Sequence, residues 1–146
     1  FYPEDFSSDE FYHPLQTELA DSPQSHILAW PESVRLSAGK EDLARELLHM
    51  LIDSFASEKP LFAQLIAQQN YAELEQRIHR LYGATRYVGI PTLQQVSRAL
   101  EKLLMQQRKS NEAMTISFES EVAEYHQQLL AAMDELSIEA KKVLHG

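Results

Sequence analysis

Apolar residues recur at helical spacing through most of the chain, and this periodicity constrains the fold more than any other feature. The clearest repeat advances by four, three, four and three positions, through Leu74, Ile78, Leu81, Thr85 and Val88. Such spacing lines one side of a helix that packs against other helices. No segment alternates apolar and polar residues with a period of two, and no Gly-rich loop follows a strand-like run. The sequence therefore predicts an all-α fold.

Turn and cap residues divide the helical region into segments. The sequence predicts a short helix near 31–37, helices over about 40–57, 71–88 and 91–107, and a long last helix from about 117. Pro60 is expected to break or kink the chain, with a short helix after it. Asn70 and Glu73 form the pattern of an N-cap with a reciprocal partner, and Gly89 is expected to end a helix in a left-handed conformation. We predict an antiparallel four-helix bundle with one or two short N-terminal helices.

The first 27 residues differ in composition from the rest of the 146-residue chain. Residues 1–26 contain six acidic residues, three prolines and no Lys or Arg. This composition predicts an acidic linker or arm over 1–27, followed by a bundle over 28–146. A start without Met is expected for a piece of a longer protein, and no apolar run is long enough to span a bilayer, so we predict no direct membrane contact. The absence of Cys fits a reducing cytoplasm.

Charge is unevenly distributed along the chain. The net charge of −9 argues against nucleic-acid binding. Residues 76–110, however, contain one acid, Glu101, and seven basic residues, which we call the basic cluster: Arg77, Arg80, Arg86, Arg98, Lys102, Arg108 and Lys109. Such a cluster on an acidic protein indicates where a negatively charged partner binds. A solvated helix pair is the alternative explanation.

His79 is predicted to lie on the solvent side of its helix. At about 100° per residue it is roughly 140° from the apolar stripe, with Gly83 one turn further along. A glycine inside a helix costs about 1 kcal/mol relative to alanine, so its presence asks for an explanation. We interpret it as cleared space above an imidazole that accepts a bulky anionic group as a nucleophile.

Antiparallel pairing across the 89–91 turn brings the next helix alongside His79. It places Arg98, Glu101 and Lys102 at the same height, so that the two cations can approach a phosphoryl group. Glu101 could orient one imidazole N–H and leave the other nitrogen free to attack. The other histidines are predicted to be exposed polar residues without the spacing of a zinc helix; they are His13, His26, His49, His126 and His145.

The segment HRLYGATRYVG, which begins at His79, resembles the HxLKGxxxxxG signature of histidine-containing phosphotransfer (HPt) domains. His79, Leu81, Gly83 and Gly89 match its fixed positions, and the similarity extends over about residues 28–138. The chain looks most like the C-terminal HPt module of BarA/GacS-type hybrid sensor histidine kinases. Tyr82 departs from the pattern, because the family often has lysine there.

The resemblance implies that His79 takes a phosphoryl group from an aspartyl phosphate on a receiver domain and passes it to the aspartate of another. The partners would be the receiver of the parent hybrid kinase and a response regulator, and the receiver would supply Mg²⁺. The domain would need no cofactor, would lack an ATP site and would not be an enzyme on its own. It would be a cytoplasmic monomer in isolation, within a parent anchored in the bacterial inner membrane.

Several residues around His79 are candidates for supporting the phosphoryl group. Because Tyr82 replaces the usual lysine, the cation that takes its place is left open among Arg80, Arg86 and Lys102. Two other functions also stay open. One is a helical docking module that binds a receiver or another partner without carrying phosphate, and the other is a structural bundle with an incidental basic cluster.

Overall fold

A computed structural model describes residues 26–144, so most of the predicted acidic arm lies outside the described residues. The described part contains five helices: α1 (Trp30–Leu36), α2 (Glu41–Ala67), α3 (Tyr71–Thr85), α4 (Pro91–Ser110) and α5 (Ile116–Leu144). α3 packs on α2 and α4, α5 packs on α4 and α2, and α1 packs against α2. The prediction of an all-α bundle is confirmed. None of the described helices has the length and apolar character needed to cross a membrane.

The bundle core confirms the stripe of α3. In α2 the spacing predicts a core face through Leu43, Leu47, Met50 or Leu51, and Ser54 or Phe55, and this face is only partly right. Leu74, Ile78, Leu81 and Thr85 of α3 are all buried. In α2 the buried residues include Ala44, Leu48, Leu51 and Phe55, whereas Leu43 and Met50 are exposed. Two sets of residues with the same spacing, offset by one position, compete for the inside of this helix. The set containing Ala44 is buried, and a pattern that counts only large side chains overlooks it.

Pro60 does not break the helix. α2 runs from Glu41 to Ala67 with Pro60 inside it, although proline removes one helical hydrogen bond and crowds the preceding turn. Pro60 and Ala56, whose carbonyl loses its partner, are both exposed, so water can bind that carbonyl. Phe55 and Phe62 on either side are buried in the core, which holds both halves of the helix against the bundle.

Of the two hydrogen bonds predicted at the start of α3, one is present. The Asn70 side chain accepts a hydrogen bond from the backbone N–H of Glu73 at 3.3 Å, which confirms the N-cap. The predicted reciprocal bond from Asn70 to Glu73 is wrong, because the backbone N–H of Asn70 donates to Leu65 O at 2.8 Å instead. The Glu73 carboxylate instead accepts from Arg77 Nε at 3.2 Å.

Gly89 fixes the turn between α3 and α4 against α1, and its predicted left-handed conformation is wrong. Among the described glycines only Gly39 has a positive φ, of 80°. The backbone of Gly89 accepts from Ala29 N at 2.7 Å and donates to Ser33 Oγ at 2.8 Å. A Cβ on Gly89 would lie 2.5 Å from Ala29 O. Close approach of two backbones therefore requires glycine here, and this contact anchors the end of the helix that carries His79.

Candidate functional site

His79 projects from α3 into solvent, as predicted. Its side chain is 72% exposed, while Ile78 and Leu81 on either side point into the core. The position follows from the stripe, because burying Ile78 and Leu81 turns residue 79 outwards. The imidazole is therefore accessible to another macromolecule.

Glu101 of α4 holds one nitrogen of this imidazole. His79 Nδ1 lies 2.5 Å from Glu101 Oε2, which confirms the predicted antiparallel register. An ionised carboxylate can only accept, so Nδ1 carries the proton and donates it in this bond. No described residue hydrogen-bonds to Nε2, whose lone pair is left available in this tautomer.

Glu101 is buried, a feature that the sequence pattern did not reveal. Its side chain is only 5% exposed, although it touches a histidine that is largely in solvent. Its second oxygen, Oε1, lies 3.5 Å from Arg98 Nη1 without forming a hydrogen bond to a described residue. The Arg98 contact is a charge interaction rather than a hydrogen bond, because its N–O distance exceeds that of a hydrogen bond. The carboxylate is thus compensated from two sides, by His79 and by Arg98.

Tyr82 lies beneath the same arginine. The Arg98 guanidinium carbon is 5.2 Å from the centroid of the Tyr82 ring, a cation–π arrangement. The residue at the position of the family's usual lysine therefore contacts a cation from α4. Arg98 is thus held against the Tyr82 ring, and the expectation that Arg80, Arg86 or Lys102 supports the phosphoryl group stays a prediction. All three of those residues are exposed.

Gly83 is open to its surroundings. A Cβ built on it would meet no atom within 4 Å, apart from its own helix backbone and chain neighbours. The packing of the described residues therefore does not require a glycine at this point of α3. This finding fits the predicted cleared space beside His79, which lies one helical turn before Gly83.

The basic cluster is less basic in three dimensions than in sequence. Arg77 pairs with Glu73 at 3.2 Å and with Glu58 at 3.8 Å. Arg108 binds the Glu75 carboxylate across α3 and α4, at 3.0 Å, and this hydrogen bond and charge raise the pKa of Arg108. The neutralising acids fall outside residues 76–110, so a sequence window misses them. Arg80 and Lys102 form no ion pair with any residue of the described range; both are exposed, and they follow His79 and Glu101 directly in the sequence.

The prediction that the other histidines are exposed is confirmed for His26 and His49 and wrong for His126. His49 pairs with Asp53 at 3.2 Å on the outer face of α2. His126 is partly buried, its Nε2 has no hydrogen-bond partner among the described residues, and burial lowers its pKa. The sequence position of His126 could have indicated this burial, because it lies about 40° around the helix from Val122, which is buried in the core. His13 and His145 lie outside the described residues.

Comparisons with known proteins converge on one family. The family model for the Hpt domain matches residues 46–137. The sensor protein GacS of Pseudomonas syringae pv. syringae is 42% identical over 80 residues, which cover 55% of this chain and 9% of that protein. The signal transduction histidine-protein kinase BarA of Shigella flexneri is 31% identical over 131 residues, 90% of this chain and 13% of that protein. The chain thus spans about a tenth of the length of these curated relatives.

A solved structure shows the same fold. The HPT domain from a sensor hybrid histidine kinase of Shewanella superposes with a TM-score of 0.71 and is 26% identical. The match covers 83% of this chain and 96% of that domain. The correspondence therefore includes nearly all of the known domain, and it extends beyond the residues matched by the family model.

Proposed function

This chain belongs to the Hpt domain family, and from that premise we propose that His79 receives a phosphoryl group from a receiver's aspartyl phosphate and passes it to a second receiver. Membership of the family makes the chain a phosphorelay carrier of two-component signalling. The observation that supports His79 as the carrier residue is its combination of 72% exposure with a buried carboxylate on Nδ1. An accessible nucleophile is thereby held in one orientation.

The chemistry follows from the available nitrogen. The Nε2 lone pair attacks phosphorus, the N–P bond forms as the P–O bond to the receiver aspartate breaks, and the electron pair returns to that carboxylate. Nδ1 keeps its proton, so the ring becomes positively charged, and the Glu101 carboxylate stabilises this charge. In the second transfer an aspartate carboxylate attacks phosphorus, the N–P bond breaks and its electron pair returns to Nε2.

The charge of the transferred group is neutralised mostly by the partner. Phosphoryl transfer depends on positioning and on cations around the equatorial oxygens, and the receiver supplies Mg²⁺ in this proposal. The chain contributes Arg80, Arg86 and Lys102 on the exposed surface around His79. It needs no ATP site or cofactor of its own and does not act as a kinase by itself.

The partners in this proposal are receivers that dock on the outer surface of α3 and α4. His79, Gly83 and the flanking cations Arg80 and Lys102 all belong to that surface. A receiver's acidic active site would be attracted to these cations, and electrostatic attraction raises the rate of encounter. One receiver would belong to the parent hybrid sensor kinase and the other to a response regulator. We place the domain in the cytoplasm, as a monomer when isolated, within a parent anchored in the bacterial inner membrane.

Incubation with a phosphorylated receiver tests this function. The wild-type protein is expected to acquire phosphate that is labile in acid and stable in base, as a phosphorus–nitrogen bond is. His79→Gln should acquire none and should keep the helical circular dichroism spectrum, because an exposed side chain contributes little to stability. His49→Gln, an exposed histidine of α2, is the matched control and should be phosphorylated normally.

Two results would contradict the proposal. Phosphorylation of His79→Gln at the wild-type level would mean that another residue carries the group. A wild-type protein that binds the receiver and acquires no phosphate would instead be a helical docking module.

A further inference from the structure

We infer that Arg98 and Tyr82 are positioning residues for the transfer, acting on His79 through Glu101. The inference rests on the proposed function, because it concerns how the carrier histidine is prepared. The contacts form a chain: the Tyr82 ring supports Arg98 at 5.2 Å, Arg98 faces Glu101 Oε1 at 3.5 Å, and Glu101 Oε2 binds His79 Nδ1 at 2.5 Å. It begins and ends on α3 and passes through α4.

Burial makes Glu101 dependent on its neighbours. An ionised carboxylate is expensive to bury unless it is paired and hydrogen-bonded, and this side chain is only 5% exposed. His79 provides one N–H, to Oε2. The facing charge at Oε1 comes from Arg98, which is itself 35% exposed. Without that guanidinium the carboxylate would lose its facing charge and turn towards water, and Nδ1 would lose its acceptor.

Tyr82 limits where Arg98 can be. A long, partly exposed arginine samples many rotamers, and holding it in one of them has an entropic cost. A guanidinium is planar and stacks on aromatic faces, so the Tyr82 ring restricts Arg98 to the side of α4 that faces Glu101. Tyr82 also lies three residues after His79 on the same helix. Movement of α3 therefore moves His79 together with Tyr82, the residue that supports Arg98.

The consequence falls on the tautomer of His79. A neutral imidazole protonated on Nε2 has no lone pair there and cannot attack phosphorus at that atom. The tautomer is set by the hydrogen bond that the other nitrogen makes. Tyr82 and Arg98 would keep Glu101 in place as the acceptor, and hence keep Nε2 unprotonated before the receiver arrives.

The experiment measures the tautomer directly, with no phosphate present. ¹⁵N NMR of the imidazole nitrogens in the neutral form distinguishes protonated from unprotonated nitrogen. Wild type is expected to show His79 with its proton on Nδ1. Arg98→Gln and Tyr82→Leu should both show an increased fraction protonated on Nε2. Both should also transfer phosphate more slowly, by roughly tenfold, as when a residue that helps to orient a functional imidazole is removed.

Conservative variants and a matched control separate positioning from general damage. Tyr82→Phe keeps the ring face and should retain the wild-type tautomer, while Arg98→Lys keeps the charge and should restore it in part. Arg108→Gln removes an equal charge and another α3–α4 ion pair, to Glu75, and should leave the His79 tautomer unchanged. If Arg98→Gln does not fold, the comparison of Tyr82→Leu with Tyr82→Phe decides the matter.

The inference and the function on which it rests fail in different ways. A wild-type tautomer in both Arg98→Gln and Tyr82→Leu would overturn the inference, even with transfer intact in the wild-type protein. Equal tautomer shifts in Arg108→Gln and Arg98→Gln would overturn it as well, because net charge alone would then be responsible. Failure of the wild-type protein to accept phosphate would instead refute the proposed function.

Discussion

The two glycines of the His79 segment, six residues apart, occupy opposite kinds of surroundings. A Cβ on Gly89 would lie 2.5 Å from Ala29 O and 3.0 Å from Ser33 N, both backbone atoms of the α1 region. Among residues 26–144, a Cβ on Gly83 would meet nothing within 4 Å beyond its chain neighbours and its own helix backbone. Packing among the described residues therefore explains Gly89 and leaves Gly83 unexplained. The proposed approach of a receiver to the surface that carries His79 accounts for Gly83.

Gly89→Ala is expected to have the largest effect on stability. The new Cβ would collide with backbone atoms that cannot rotate away, so α1 must move from the α3–α4 turn and weaken the bonds from Ala29 and to Ser33. Overpacking of this kind costs about 1–3 kcal/mol, and we expect the upper part of this range. Urea denaturation followed by circular dichroism measures it. A cost no larger than that of an exposed helix position would show that the α1 contact does not require glycine.

Substitutions of Gly83 should separate stability from transfer. Gly83→Ala is expected to leave the free energy of unfolding unchanged or to raise it by up to about 1 kcal/mol, because alanine is the better helix former. Gly83→Leu should fold as well, since its side chain projects into open space, yet it should slow phosphoryl transfer by overhanging the imidazole. Transfer rates measured beside unfolding curves test both parts. Normal transfer by Gly83→Leu would remove the cleared-space explanation.

The smallest expected effect is the pH dependence of stability that comes from His126, a histidine in partly buried rather than open surroundings. Burial lowers the pKa of His126 below the ordinary histidine value of about 6.5, so the unfolded chain takes up this proton at a higher pH than the folded chain. The corresponding stability is present above about pH 6.5 and is lost as the pH falls towards the lowered value. His126→Gln should therefore lose less stability than wild type between about pH 7.5 and about pH 5.5. Parallel curves for wild type and His126→Gln would contradict the assignment.

Helical periodicity was sufficient to predict the part of the site that depends on a single helix. The stripe of α3 places Ile78 and Leu81 inside and His79 outside, and a short turn fixes the register that brings Glu101 to His79. These are local geometric consequences of 3.6 residues per turn and an antiparallel pairing. They needed no knowledge of how the remaining helices pack.

The features that the sequence did not reveal depend on contacts between distant segments. Position 89 requires glycine because its backbone approaches Ala29 and Ser33, about sixty residues earlier. No local sequence pattern indicates this long-range contact. Periodicity gave no sign that Glu101 is buried, because charged side chains rarely are, whereas its partners His79 and Arg98 on two helices allow it to be. The partial neutralisation of the basic cluster likewise depends on which acids lie across the helix interface.

The position of the phosphoryl group tests the central claim most directly. The account predicts that ³¹P–¹⁵N NMR of the phosphorylated, ¹⁵N-labelled protein shows phosphorus coupled to Nε2 of His79, with Nδ1 still protonated beside Glu101. Phosphorus coupled to Nδ1 of His79 would contradict the role assigned to Glu101. Phosphorus on another histidine, or the absence of any phosphorus–nitrogen coupling, would contradict His79 as the carrier.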